Sequence, residues 1–83
     1  MTNPISRIQT LKSEAAANGD TEMVAKCKRA AGKMLIDSDT GDALYCDDIG
    51  LSTTEYVEAI IESLDCDQFE GHVRVNGRRV YAG

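Results

Sequence analysis

The stretch His72–Tyr81, HVRVNGRRVY, constrains this chain more than any other. Asn-Gly between two β-branched runs specifies a two-residue turn of type I′, because both turn positions need positive φ. Such a turn fixes the register by itself. Val75 opposes Arg78, Arg74 opposes Arg79, Val73 opposes Val80, and His72 opposes Tyr81. Strand alternation then sends Val73, Val75 and Val80 toward a core and His72, Arg74, Arg79 and Tyr81 to the other face. Like charges directly opposite one another are unfavourable. Arg74 across from Arg79 therefore calls either for carboxylates nearby, such as Glu70 or an acidic helix, or for an anionic partner. A basic β face with an aromatic side chain can hold phosphates and stack a base.

A hairpin needs something to pack on, and Ser52–Leu64, STTEYVEAIIESL, supplies it. Val57, Ile60, Ile61 and Leu64 have the i, i+3, i+4, i+7 spacing of one helix face. Ser52 and Glu55 have capping-box spacing, which marks the helix start. Glu55, Glu58, Glu62 and Asp65 share the opposite face. Glu62 and Asp65 crowd the helix C-terminus, where the macrodipole disfavours negative charge. No Lys or Arg is interleaved to give relieving i, i+4 pairs. This carboxylate row, helped by Asp47 and Asp48, suits a basic partner surface, one that itself handles nucleic acid.

The rest of the chain reads in order. Asn3-Pro4 opens a helix, with Asn at the cap and Pro at the first position. Ile5, Ile8, Leu11 and Ala15 form its stripe, and Asn18-Gly19 stops it. Asp20 or Thr21 caps a second helix that buries Met23, Val24, Cys27, Ala30 and Ala31 and ends at Gly32. Short loops make such helices pack antiparallel. Met34-Leu35-Ile36 and Ala43-Leu44-Tyr45-Cys46 flank an Asp/Gly/Ser turn and read as a hairpin or two short strands. A helix through Asp42–Cys46 competes with that reading. Asp47-Asp48-Ile49-Gly50 reads as a loop, and Asp65–Gly71 as a connector.

The turn Asp37-Ser38-Asp39-Thr40-Gly41-Asp42 invites three chemistries. As a calcium loop it has its glycine one position early and Asp48 where a bidentate Glu belongs. As an aspartyl-protease Asp-Thr-Gly it puts the extra charge of Asp42 beside the dyad. A nucleophilic Asp37 of the phosphatase kind needs far more chain. Turn chemistry alone accounts for these residues. Glycine-rich phosphate loops are absent, and His72 has no Ser or Cys partner at a suggestive spacing. Cys27, Cys46 and Cys66 lack the spacing of metal ligands and read as reduced, partly buried thiols. The expectation is a protein with no catalytic residues, metal or cofactor.

Eighty-three residues make one small domain with a limited core. The net charge of −5 hides an uneven distribution. Residues 1–36 carry six basic side chains against three acids, residues 37–71 eleven acids and no Lys or Arg, and residues 72–83 three arginines. Blocks of this kind bear on partners and steering, not on fold. The opening MTNPISRIQTLK has no apolar signal region, and no apolar run approaches the ~18 residues of a membrane span. The sequence therefore predicts a soluble protein of the bacterial cytoplasm.

LKSEAAANGDTEMVAKCKRA resembles the openings of small proteins from phages and other bacterial mobile elements, with an alanine-rich helix, a Gly-Asp break and a second helix. The ending EAIIESLDCDQFEGHVRVNGRRVYAG is similar to their short helix plus terminal hairpin. Anti-CRISPRs are among such proteins, and the likeness to them is one of size, acidity and lack of catalytic residues. No motif unites that group, so no site residue carries over. The resemblance implies an inhibitor that covers a basic nucleic-acid-binding surface of a host protein, such as a Cas effector subunit.

Together these readings predict a single α+β domain spanning 1–83: an N-terminal helical hairpin, a short β element, an acidic amphipathic helix and a C-terminal β-hairpin. The first functional expectation is the non-enzymatic inhibitor, acting through Glu55, Glu58, Glu62, Asp65, Asp47 and Asp48 on a protein partner without direct contact to nucleic acid. The alternative is a small nucleic-acid-binding or regulatory module using His72, Arg74, Arg79 and Tyr81. A dimer through the N-terminal helices stays open.

Overall fold

A computed structural model describes residues 3–66 and 71–83. The fold is α+β. Helix α1 spans Pro4–Ala17 and α2 spans Thr21–Ala30; strand β1 is Leu35–Asp37 and β2 is Ala43–Leu44. A short helix α3 covers Cys46–Ile49, α4 covers Thr53–Asp65, and strands β3 and β4 are Val73–Val75 and Arg78–Ala82.

Local chemistry sets the boundaries. Asn3 Oδ1 accepts from the N–H of Ile5 at 2.8 Å and Asp20 Oδ1 from that of Met23 at 3.0 Å, so both N-terminal helices start at side-chain caps. Ala31 lies past the end of α2 with extended backbone, which leaves it exposed instead of on the buried face. The expected loop at residues 47–50 is a helical turn instead. Asp48 Oδ2 accepts from the N–H of Tyr45 at 2.8 Å, and Gly50 closes the turn with φ +66°. Four residues are too few for any periodicity to announce.

The Ser52–Glu55 capping box is reciprocal: the Ser52 N–H donates to Glu55 at 3.0 Å and the Glu55 N–H donates to Ser52 Oγ at 3.2 Å. Helix α4 lies between the helical hairpin and the sheet, touching α1, α2, β1, β3 and β4. A helix enclosed on two sides buries a wider arc than one apolar stripe, and the arc here is Tyr56, Val57, Ala59, Ile60 and Ser63. Leu64, expected in the core, falls at the edge of that arc and is 40% exposed, while Ile61 is half-buried.

Tyr56 is fully buried because its hydroxyl has two partners. It accepts from the Leu35 N–H at 2.8 Å and donates to the Leu44 carbonyl at 2.7 Å, which clamps β1 to β2. Burial pushes its pKa up to about 12. Ser63 plays the same part at the other end of α4. Its Oγ donates to the Gly71 carbonyl at 2.5 Å and accepts from the Ala82 N–H at 2.9 Å. Gly71 has φ +84°, and a Cβ there would meet the Ser63 carbonyl at 2.9 Å.

The two hairpins join into one antiparallel sheet of order β2-β1-β4-β3, with Leu35 opposite Ala82, Ile36 opposite Tyr81 and Asp37 opposite Val80. The C-terminal hairpin has the register its turn dictates, with Asn76 at φ 48° and Gly77 at φ 81°. Asn76 Nδ2 also donates to the Ile49 carbonyl at 2.6 Å, tying the turn to α3. The core gathers Leu35, Leu44, Val73 and Val80 from one side of the sheet against Tyr56, Val57 and Ile60. Among the described residues, no helix is long and apolar enough to cross a membrane.

Candidate functional site

Helix α4 covers the valine side of the sheet, and among the described residues no helix packs extensively on the other side. Register assigns that open face. Ala43, Ile36, Tyr81 and His72 form one row across the strands, and Arg79 and Arg74 form the next. The rings of His72 and Tyr81 stack with centroids 4.9 Å apart and planes 14° from parallel. Arg74 and Arg79 are exposed, whereas His72, Tyr81 and Ile36 are half-buried.

The arginine pair is of the closer kind. The Arg79 carbonyl accepts from the Ser38 N–H at 2.9 Å, on the β1 side. That makes Arg74–Arg79 a non-hydrogen-bonded pair, for which the Cα atoms lie ~4.5 Å apart. Neither arginine has a carboxylate partner among the described residues. Neutralisation by the acidic helix, expected as one way to relieve this pair, does not occur, since α4 lies on the opposite side of the sheet. Glu70, the other expected neutraliser, falls outside the described residues. Next to the pair, the hydroxyl of Ser38 is buried without a hydrogen-bond partner.

Arg78, one residue away, shows what a paired arginine looks like in this fold. It points to the core side and its Nη1 lies 3.1 Å from Asp37 Oδ2. Asp37 Oδ1 accepts from the N–H groups of Asp39 at 2.8 Å and Thr40 at 3.3 Å. These backbone donors, with Arg78, hold the Asp37 carboxyl below the usual carboxylate range. The Asp-rich turn is thus closed by its own main chain, with Gly41 at φ +78°. Among the described residues, no three of His, Cys, Asp or Glu gather as metal ligands. Cys27 and Cys46 are buried, which pushes both thiols up.

The acidic row on α4 is less free than its sequence implies. Arg29 of α2 forms a bidentate pair with Asp65, at 2.5 and 3.3 Å, and its hydrogen bonds hold that carboxyl low. The crowded helix end is therefore relieved by a cation 36 positions away, beyond any i, i+4 search. Glu55 is engaged in the cap, and its pKa is lowered chiefly by the Ser52 N–H. Asp48 caps its own helical turn, and Asp47 lies 3.9 Å from Arg7. Glu58 and Glu62 are exposed and have no partner among the described residues.

A shallow depression of ≈ 400 Å³ at the α1–α2 turn, lined by Ala16, Val24, Ala25 and Lys28 among others, brings no acid–base pair together. The distinctive chemistry of the described surface lies on the open sheet face. No family model, curated protein or solved structure matches this chain.

Proposed function

We propose that this protein is a non-enzymatic binding module whose working surface is the open face of the sheet, and that this face takes an anionic partner. The observation that carries the reading is the Arg74–Arg79 pair, directly opposed across β3 and β4, exposed, and without a carboxylate among the described residues. An opposite charge at either position would stabilise the hairpin. Arg7, Arg29 and Arg78 each have such a counter-charge within the fold. Half-buried His72 and Tyr81 partly exclude water beside the pair, which strengthens charge-assisted bonds from guanidinium to phosphate or carboxylate. The test is retention on immobilised polyphosphate at low salt. Wild type should be retained and the Arg74→Ser, Arg79→Ser variant released; equal retention of the two, or none by wild type, overturns the reading.

A second reading rests on Glu58 and Glu62 and on the phage-like character of the sequence. In it the protein is an inhibitor of the anti-CRISPR type, with α4 covering a basic surface of a Cas effector in the bacterial cytoplasm. Complementary charge chiefly raises on-rate and specificity, so such binding weakens with salt. Capture of an effector complex by wild type and its loss in Glu58→Lys, Glu62→Lys would support this. Unchanged capture by the folded variant counts decisively against it.

A further inference from the structure

Resting on the sheet-face reading above, we propose that the ligand is a single-stranded nucleic acid, with a base stacked on His72 and the adjoining phosphates held by Arg74 and Arg79. The sheet order leaves β3 at an edge, so among the described residues no strand lies beyond His72. One face of its ring is covered by Tyr81, 4.9 Å away, and the other is turned away from Tyr81. The inner flank of the stack is closed. Ile36 sits opposite Tyr81, and a Cβ on Gly83 would come within 3.0 Å of Ile36 and 3.5 Å of the Tyr81 ring. A third ring can therefore join the stack only at the edge, on His72. Arg74 of β3 follows two positions along the chain on the same face, one pleat repeat of ~6.7 Å away, and Arg79 stands across from it.

Single strands use both features. Their bases offer free ring faces, and base–aromatic stacking tolerates any sequence. A duplex hides those faces, and an acidic peptide would engage the arginines while leaving the rings idle. With two phosphates neutralised, log K should fall with log salt at a slope of about −1.4, given ~0.7 per phosphate for single strands.

The test titrates the full chain with oligothymidylate, oligouridylate, the same sequence as duplex, inorganic polyphosphate and a poly-glutamate peptide. His72→Ala and Tyr81→Leu, checked for folding by circular dichroism, should lower affinity for single strands by about fivefold to 150-fold. Polyphosphate, which has no ring to stack, should lose much less affinity in the same variants than single strands do. Arg74→Ala should lessen the salt slope by about 0.7. A DNA or RNA preference between the two oligonucleotides identifies the source of the strand, and either satisfies the proposal. Ring variants that bind single strands like wild type overturn it, as does tighter binding of duplex or of poly-glutamate. If polyphosphate binds but single strands gain nothing from the rings, this proposal fails and the sheet-face reading stands. If no anion binds, both fail.

Discussion

Replacing Arg79 by glutamate should raise the stability of this protein while removing its affinity for anions. The substitution converts a directly opposed like-charge pair into an opposite-charge pair at the closer, non-hydrogen-bonded kind of position. Cross-strand charge pairs carry a few tenths to ~1 kcal/mol in either direction, and both side chains are exposed, so the combined gain is about 0.5–1 kcal/mol. In a domain of this size 1 kcal/mol moves Tm by ~4–8 °C, which places the rise at roughly 2–8 °C. The rise should shrink in high salt, where surface charges are screened. Thermal unfolding followed by circular dichroism, with polyphosphate retention beside it, reads both quantities. Arg74→Glu, Arg79→Glu restores a like-charge pair and should return Tm toward wild type without restoring retention. A fall in Tm for Arg79→Glu would mean the pair is relieved by something else in the fold. Retained anion binding would remove the arginines from the site.

Three further substitutions test the scaffold. Tyr56→Phe removes the clamp and leaves the buried Leu35 N–H and Leu44 carbonyl short of a partner, so urea unfolding should show a loss of ~2–3 kcal/mol. The phenol is neutral in both folded and unfolded chains below pH ~10, whereas the folded value is about 12. Stability present below pH ~10 is therefore lost as pH rises through that window, by roughly 3 kcal/mol, and Tyr56→Phe should lack this component. Gly71→Ala forces a side chain into left-handed backbone and against the Ser63 carbonyl; a cost of ~1–3 kcal/mol in denaturant titration is expected. The Asp37 carboxyl, held low by the turn N–H groups and Arg78, contributes stability above the unfolded carboxylate pKa. That contribution disappears as pH falls through the lower folded value, so Asp37→Asn should flatten the acid limb of a Tm–pH profile.

What could be read from the sequence was local. Asn76-Gly77, the Asn3 and Asp20 caps and the Ser52–Glu55 box each act within four residues, and each gave the element it announced. Register alone placed His72, Arg74, Arg79 and Tyr81 on one face. The pairing of β1 with β4 joins residues more than forty positions apart, and no periodicity encodes it. Tyr56 and Ser63 escaped the apolar stripe because each carries a polar atom whose partner belongs to a distant strand. The same distance hid Arg29 from Asp65 and made the acidic row look unrelieved. Knowing that α4 covers the valine side changes the weight given to each face. It leaves the arginine pair without the α4 carboxylates that a hairpin read in isolation could have borrowed.

Anion binding at the open sheet face can be read residue by residue in a heteronuclear NMR titration with polyphosphate. Shift changes should concentrate at His72, Arg74, Arg79 and Tyr81, with Glu58 and Glu62 unmoved. Changes centred on the lysines of α2, or none at saturating polyphosphate, would contradict it.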